Sequence, residues 1–449
     1  MRLTWVQPED LLLHAFVQAR DEGTDVSDLE ARWVDVSGSL AAPVSGAAAT
    51  PASDADREFA RRLLDEVEAR GCVAVDPDAD AVFARARVEP LLTTHVDADR
   101  ILGAWLGRAA GCLLGKPVEK IPRDGIRAIL DDLGEWPLRR YFTGRGLDPA
   151  IAARYPWNRR SEPTSLRENI DGMPEDDDLN YPLLNLDLLE TVGDRFTVAD
   201  VAQSWLSNLP AGRVFTAERV AYRNLLDGID PERVGTTRNP FREWIGALIR
   251  GDVFGWTHPG RPRDAARLAF TDARLSHVRE GIYGEMWVAG ASAAAIVADD
   301  FATVLAAGAS VVPADSALRS AIDFGVEAAS DRDLDGGLDL LHERYGRHHW
   351  VHVLNNAATI SWALASTLDA DGRPDFGEAV ARAVMAGWDT DSAGATVGAL
   401  AGGILGAAAL PSEFTGPLRD RYTTSLPGQD GTSFTLLAAR TVALARGNA

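Results

Sequence analysis

The sequence contains very little cysteine, with only Cys72 and Cys112 among its 449 residues. Their number and spacing exclude a disulfide framework and a CxxC-type zinc site. The segment MRLTWVQPEDLLLHAF at the start carries acidic residues and lacks the long apolar run of a secretory signal. We therefore expect a protein of a reducing, cytoplasmic compartment.

Positive charge is also scarce, since 45 Lys and Arg residues face 66 Asp and Glu residues and the net charge is −21. Nucleic acids and anionic membranes are bound by basic surfaces, so the composition argues against both as partners. Residues 393–410 carry no charge over a length that suffices for a membrane-spanning candidate. Glycine and alanine dominate this segment, however, and Asp389 and Asp391 precede it directly. We expect a buried helix there.

Alternating runs of β-branched residues are rare, whereas apolar residues after residue 98 recur at intervals of three and four. This pattern predicts an all-α, compact multi-helix bundle. The length favours one large domain with an appendage, or two domains. We predict a mostly helical N-terminal extension over residues 1–97 and a main domain over residues 98–449. A segment rich in Ala, Ser, Pro and Gly at 38–55 predicts a flexible linker, and a short strand is expected within 73–85.

Two segments carry glycine at every fourth position, although each interior glycine costs a helix about 1 kcal/mol relative to alanine. Glycines four residues apart line one face of a helix and let a second backbone approach closely. We therefore predict that two central helices pack together along these faces, which also brings their acidic ends to one site. The glycines are Gly103, Gly107, Gly111 and Gly115 in the first segment, and Gly394, Gly398, Gly402 and Gly406 in the second.

Two acidic clusters lie more than two hundred residues apart. The early cluster, residues 175–178, has the sequence EDDD, and the late cluster contains Asp389, Asp391 and Ser392. Each has an ordinary explanation, since Asp and Ser cap helices and acidic runs often face solvent. Adjacent carboxylates repel one another, however, and are costly to bury without cations. Together the clusters predict a split site for one or two hard divalent metal ions.

Three further polar residues are candidate ligand contacts. His277 and Asn355 lie in apolar helical surroundings, where a satisfied core polar group is the alternative. Arg242 follows a turn at the start of a predicted helix, which suits an anion but equally suits capping.

Residues 111–119, with the sequence GCLLGKPVE, contain Gly111 and Gly115 and end in Glu119. Together with the two acidic clusters, this segment resembles the motifs of the ADP-ribosylglycohydrolase family, typified by the dinitrogenase reductase-activating glycohydrolases. It is similar to the family's opening G-D-x-L-G-x-x-x-E pattern. The EDDD run at 175–178 is similar to its T-D-D-T motif, and residues 387–392, GWDTDS, to its late G-G-D-T-D-[ST] motif. Three motifs in the family's order cover about residues 98–410.

The resemblance implies an all-α catalytic domain with a binuclear Mg²⁺ or Mn²⁺ centre at the base of a cleft. One ion would be held by Glu175, Asp176 and Asp177 with Asp391 as a bridge. The other would be held by Asp389, Asp391 and Ser392, with Glu119 as a further candidate. The implied reaction is hydrolysis of an N- or O-glycosidic bond at ribose C1, with Glu119 or Asp177 as the general acid or base.

The chain departs from the family pattern at several of these positions. Glu175 and Asp178 stand in place of threonines, Cys112 in place of an aspartate, and Trp388 in place of a glycine. Trp388 is therefore a candidate substrate contact, and the substrate is expected to be an ADP-ribosylated protein or a smaller ribosylated molecule. The alternatives are another binuclear-metal hydrolase, such as a phosphoesterase, and a catalytically inactive structural relative.

Overall fold

The computed structural model describes residues 3–71, 75–87, 92–330 and 333–448. Within these residues the chain forms 22 α-helices and isolated β-bridges but no β-strand, which confirms the all-α class. The helices are α1 (Pro8–Asp21), α2 (Ser27–Ser37), α3 (Asp54–Arg70), α4 (Ala79–Phe83), α5 (Ala98–Gly115), α6 (Arg123–Asp132), α7 (Pro149–Arg154), α8 (Glu162–Ser165), α9 (Asp177–Val192), α10 (Val198–Asn208), α11 (Thr216–Leu226), α12 (Asp252–Trp256), α13 (Pro262–Ala273), α14 (Glu280–Ala295), α15 (Phe301–Ala309), α16 (Ala317–Ala328), α17 (Leu334–Tyr345), α18 (Val353–Ala365), α19 (Phe376–Met385), α20 (Thr390–Leu405), α21 (Ser412–Thr415) and α22 (Phe434–Asn448).

The strand expected within 73–85 is wrong for the described part of that segment. Residues 79–83 form α4, because the Asp78 side chain accepts a hydrogen bond from the backbone N–H of Ala81 and caps a helical turn. Residues 73 and 74 lie outside the described residues.

Helices α5 and α20 form a closely packed antiparallel pair at the centre of the core. A Cβ atom on Gly107 would lie 2.1 Å from the carbonyl oxygen of Gly398, and one on Gly111 would lie 1.9 Å from that of Gly394. No other residue fits at these separations, so the two glycine faces set both the distance and the register of the helices. The predicted packing of the two glycine-rich helices is confirmed.

This register brings the end of α5 to the start of α20. The Thr390 hydroxyl donates a hydrogen bond to the carbonyl oxygen of Gly115 at 2.9 Å. The start of α9 joins them, because Arg108 of α5 donates from Nε to the carbonyl oxygen of Asp178 at 2.7 Å. Three acidic segments, namely Glu119 after α5 and the two acidic clusters, therefore meet at one end of the central pair.

The N-terminal helices pack on the same hydrophobic core as the rest of the chain. The Trp5 ring lies edge-on to Phe241 and Trp244, with centroid distances of 5.4 and 5.6 Å. Residues 39–53 form no helix, and the Val44 carbonyl oxygen accepts a hydrogen bond from Trp350 Nε1 at 2.9 Å. The domain boundary at residues 97 and 98 and the flexibility of the linker stay predictions.

The uncharged segment after Asp391 lies in α20 and the turn that follows it, and α20 is almost completely buried in the core. Across the described ranges, no helix combines the length and apolar character needed to cross a membrane.

Candidate metal centre and ligand cavity

A cavity of about 1020 Å³ lies where the three acidic segments meet. All residues predicted for metal binding or catalysis line it: Glu119, Glu175, Asp176, Asp177, Asp389, Asp391 and Ser392. The two acidic clusters are thus brought together by the fold. The individual roles of these residues stay predictions.

Local backbone geometry aims the acidic side chains into this cavity. Asp176 caps α9 by accepting a hydrogen bond from the backbone N–H of Asp178 at 2.9 Å. Before α20, Gly387 and Trp388 both have left-handed φ angles, of 75° and 68°, which turn the chain sharply into the helix. The backbone N–H of Asp389 then donates to the side-chain oxygen of Asn356 at 3.4 Å.

Three carboxylates of the early cluster each contact a cation of the protein itself, and we refer to Glu175, Asp176 and Asp178 as the paired carboxylates. Arg213 lies 2.7 Å from Glu175, and the Lys116 ammonium donates a hydrogen bond to Asp176. Arg108 lies 3.4 Å from Asp178.

The strength of these pairs differs. Burial alone would raise the pKa of Asp176, but the Lys116 ammonium outweighs it and lowers that pKa below its usual value. Burial raises the pKa of Asp178 in spite of Arg108, whose guanidinium also contacts Asp252 at 2.7 Å. Asp176 and Lys116 therefore form the dominant ion pair of the early cluster.

The three remaining aspartates, which we refer to as the unpaired carboxylates, are Asp177, Asp389 and Asp391. In the part of the chain that the structure describes, no lysine, arginine or histidine nitrogen lies within 4 Å of their oxygens. Burial and the charge of Glu119 raise the pKa of Asp391 to about 7. Burial, together with the charges of neighbouring aspartates, also raises the pKa values of Asp177 and Asp389.

The unpaired carboxylates have the ligand chemistry of a site for a hard divalent cation. Carboxylate and hydroxyl oxygens are the ligands that Mg²⁺ and Mn²⁺ prefer, and the Ser392 hydroxyl lies on the same cavity wall. A cation there would relieve the repulsion that raises these pKa values. A further oxygen, Glu175 Oε1, is buried without a hydrogen-bond partner among the described residues. It is an additional candidate ligand.

Glu119 is held at the cavity wall by two donors. The Asn158 side-chain amide donates to one carboxylate oxygen, and Lys120 Nζ lies 3.1 Å from the other. The same ammonium lies 5.3 Å from the ring centroid of Trp350, which lines the cavity. This arrangement fixes the orientation of the Glu119 carboxylate towards the cavity.

The four predicted substrate contacts do not line the cavity. Arg242 donates to Glu22 at 3.0 Å, and the Asn355 amide donates to the carbonyl oxygen of His349 at 3.3 Å. His277 is enclosed beside Ser276, with 2.8 Å between the hydroxyl and Nδ1. Among the described residues, His277 Nε2 and Asn355 Oδ1 are buried without a hydrogen-bond partner. The roles of these residues as substrate contacts stay predictions.

Trp388 directly precedes Asp389, but it does not line the cavity. The indole stacks on the imidazole of His342 in α17, with ring centroids 4.2 Å apart. Its bulk therefore fills space between α17 and the start of α20 and leaves the cavity open.

Sequence reasoning missed two groups of cavity residues. The first is Lys116, which stands inside the quoted GKPVE motif. The second is a basic and aromatic rim, which adjacent arginines at 159 and 160 could have indicated. The rim consists of Arg154, Tyr155, Trp157, Arg159, Arg160, Arg213, Phe215 and Trp350.

Fold and cavity together define an all-helical protein whose central helix pair presents a buried carboxylate cluster suited to a divalent cation. Residues 93–448 match the family model described as ADP-ribosylglycohydrolase. The chain belongs to the ADP-ribosylglycohydrolase family, whose members are glycohydrolases, typically metal-dependent, and act on ADP-ribosylated substrates.

Among solved structures, one titled "ADP-ribosylglycohydrolase-related protein complex" is similar to this chain with a TM-score of 0.49 and 24% identity. The similarity covers 78% of this chain and 99% of that one. No curated protein sequence matches the chain significantly.

Proposed function

We propose that the protein is a divalent-metal-dependent glycohydrolase that cleaves an N- or O-glycosidic bond at ribose C1. Its substrate would be an ADP-ribosylated protein or a smaller ribosylated molecule that carries phosphate, encountered in the cytoplasm. The observation that carries this proposal is the set of unpaired carboxylates on the wall of the cavity.

The chemistry follows from the position of these groups. A Mg²⁺ or Mn²⁺ ion held by Asp177, Asp389, Asp391 and the Ser392 hydroxyl would bind ribose hydroxyls and make a bound water more acidic. Glu119 is oriented by Asn158 and Lys120 to accept a proton from water at its carboxylate oxygens. We therefore assign Glu119 as the general base and Asp177 as a ligand.

The rim supports an anionic substrate. Arg154, Arg159 and Arg160 are exposed, and within the described residues none of them forms an ion pair. Guanidinium groups bind phosphate oxygens through paired hydrogen bonds. In a protein of net charge −21, an uncommitted basic rim above an acidic site favours a ligand with phosphate at one end and ribose at the other.

Aromatic side chains could hold the rest of such a ligand. The Arg160 guanidinium lies 5.3 Å from the ring centroid of Phe215, and Lys120 covers one face of Trp350. Partly exposed rings beside cations are surfaces on which a nucleobase stacks.

The test is release of ADP-ribose from ADP-ribosyl-arginine and ADP-ribosyl-serine peptides in the presence of Mg²⁺, Mn²⁺ or a chelator. We expect ion-dependent release that is lost in Asp391→Asn. The matched control is Asp339→Asn, which removes an aspartate that is largely exposed and pairs with Arg123 outside the cavity. This control should retain activity.

Two outcomes would contradict the proposal. Release of inorganic phosphate from phosphate esters, without cleavage at ribose C1, would indicate a phosphoesterase. Ion binding without turnover of any ribosylated substrate would indicate an inactive relative.

A further inference from the structure

Lys116 places a fixed positive charge inside the acidic cluster. Its ammonium donates hydrogen bonds to the Asp176 carboxylate and, at 3.2 Å, to the carbonyl oxygen of Glu175. The side chains of Lys116 and Asp176 are each only 7% exposed. The ammonium therefore lies beside Asp176, where the resemblance described above implies a metal ion.

We propose that the Lys116 ammonium replaces one of the two metal ions, so that this protein binds a single divalent ion at the unpaired carboxylates. This inference rests on the cation-binding part of the proposed function and is independent of the reaction.

Backbone geometry keeps Lys116 in this position. It follows Gly115, where a Cβ atom would lie 2.2 Å from the carbonyl oxygen of Thr390, and it begins the short 3₁₀ turn Lys116–Val118. The start of α20 thus locks the backbone from which the lysine extends. By contrast, the Lys120 side chain is 37% exposed at the cavity wall and has room to move when a ligand enters.

Local charge favours one ion over two. Lys116, Arg108 and Arg213 each face one of the paired carboxylates, although Arg108 is shared with the buried Asp252. No cation of the described residues contacts the unpaired carboxylates, so a divalent ion bound there would compensate their negative charge. A second ion beside Asp176 would lie against a buried ammonium in a poorly screened environment, where like charges repel strongly.

The proposal predicts metal stoichiometry. Wild-type protein dialysed against Mn²⁺ should retain one ion per chain by elemental analysis and give the electron paramagnetic resonance spectrum of isolated Mn²⁺. Lys116→Met keeps most of the side-chain volume but removes the charge, which frees the Asp176 carboxylate. This variant should bind two ions per chain and show a spin-coupled spectrum.

Lys120→Met is the matched control, because it removes a lysine of the same cavity that pairs with Glu119 rather than Asp176. It should still bind one ion. Should Lys116→Met not fold, two other variants decide the same question. The single ion should be lost in Asp389→Asn and kept in Asp176→Asn.

Three results would overturn the inference. Two ions with a coupled spectrum in the wild type would show that the ammonium displaces nothing, and the proposed function would stand. One ion in a folded Lys116→Met would show that the lysine does not limit stoichiometry. Absence of any bound ion in both proteins would overturn this inference and the proposed metal dependence together.

Discussion

The paired and unpaired carboxylates lie in one cavity but meet the cost of burial in different ways. Asp176 has its own cation, so the pKa of this carboxyl falls below the usual value. Within the described ranges no cation contacts Asp389 or Asp391, and their pKa values rise because of burial and of neighbouring negative charge. An acidic cluster is therefore not uniformly a metal site, because the carboxylates that no cation of the protein compensates are the ones that favour an external ion.

The largest expected effect separates ion binding from stability. In Asp389→Asn we expect ion affinity and activity to fall by more than about 100-fold. Substitution of a residue that only supports a metal ligand usually has a smaller effect. The metal-free protein should become more stable by at least about 1 kcal/mol, because a carboxyl with a raised pKa costs stability at neutral pH. Metal titration and urea unfolding with chelator measure the two quantities. A metal-free variant less stable than the wild type would contradict the unpaired state of Asp389.

The opposite behaviour is expected at Asp176. Asp176→Asn leaves the buried Lys116 ammonium without its partner and should lower the free energy of unfolding by about 3–5 kcal/mol. The double variant Asp176→Asn with Lys116→Met removes both charges and should recover most of this loss. Urea unfolding of the two single variants and the double variant forms the cycle. Losses that simply add would show that the two groups do not form an ion pair.

The paired and unpaired carboxylates lie in one cavity because helices α5 and α20 pack closely together. Gly111→Ala would place a methyl group 1.9 Å from the carbonyl oxygen of Gly394, and we expect a loss of about 3 kcal/mol from overpacking. Gly447→Ala in α22 meets no atom within 4 Å and should cause no loss. Thermal unfolding distinguishes them. Equal melting temperatures would contradict the close packing of α5 and α20.

The smallest expected effect concerns buried histidines, which avoid the cost of a buried charge by staying neutral. Burial lowers the pKa of His14 to about 4 and that of His349 to about 3. In the unfolded chain these histidines become protonated as the pH falls below about 6.5, whereas in the folded protein they stay neutral down to a lower pH. The free energy of unfolding is therefore highest above pH 6.5 and decreases as the pH falls towards 4. His14 alone should account for about 2 kcal/mol between pH 7.5 and pH 5.

Unfolding free energies of wild type and His14→Phe at these two pH values test this. The His14 ring packs among Trp5, Phe241 and Trp244. A phenylalanine ring in this place has no nitrogen to titrate, so the variant should lose less stability on acidification. An identical loss in both proteins would show that His14 is protonated in the folded state.

The sequence was most informative where a pattern had a single physical solution. Glycine at every fourth position in two segments predicts close helix packing, and the fold confirms it with a register that joins Gly111 to Gly394. That packing also explains why the two acidic clusters meet.

The sequence was least informative where burial decides the role of a polar side chain. Histidine, asparagine and arginine often contact ligands, yet none of His277, Asn355 and Arg242 lines the cavity. Which cation reaches which carboxylate is likewise a tertiary property. Lys116 lies within the quoted sequence motif, but its contact with Asp176 depends on the register of α5 against α20 and on the position of α9.

We expect one divalent ion at the unpaired carboxylates and no second ion beside Asp176. Anomalous diffraction from crystals grown with Mn²⁺ tests it most directly. The expected result is one anomalous peak per chain, among Asp177, Asp389, Asp391 and Ser392, with the Lys116 ammonium still on Asp176. Two peaks per chain, or a single peak at Asp176 with Lys116 displaced, would contradict it.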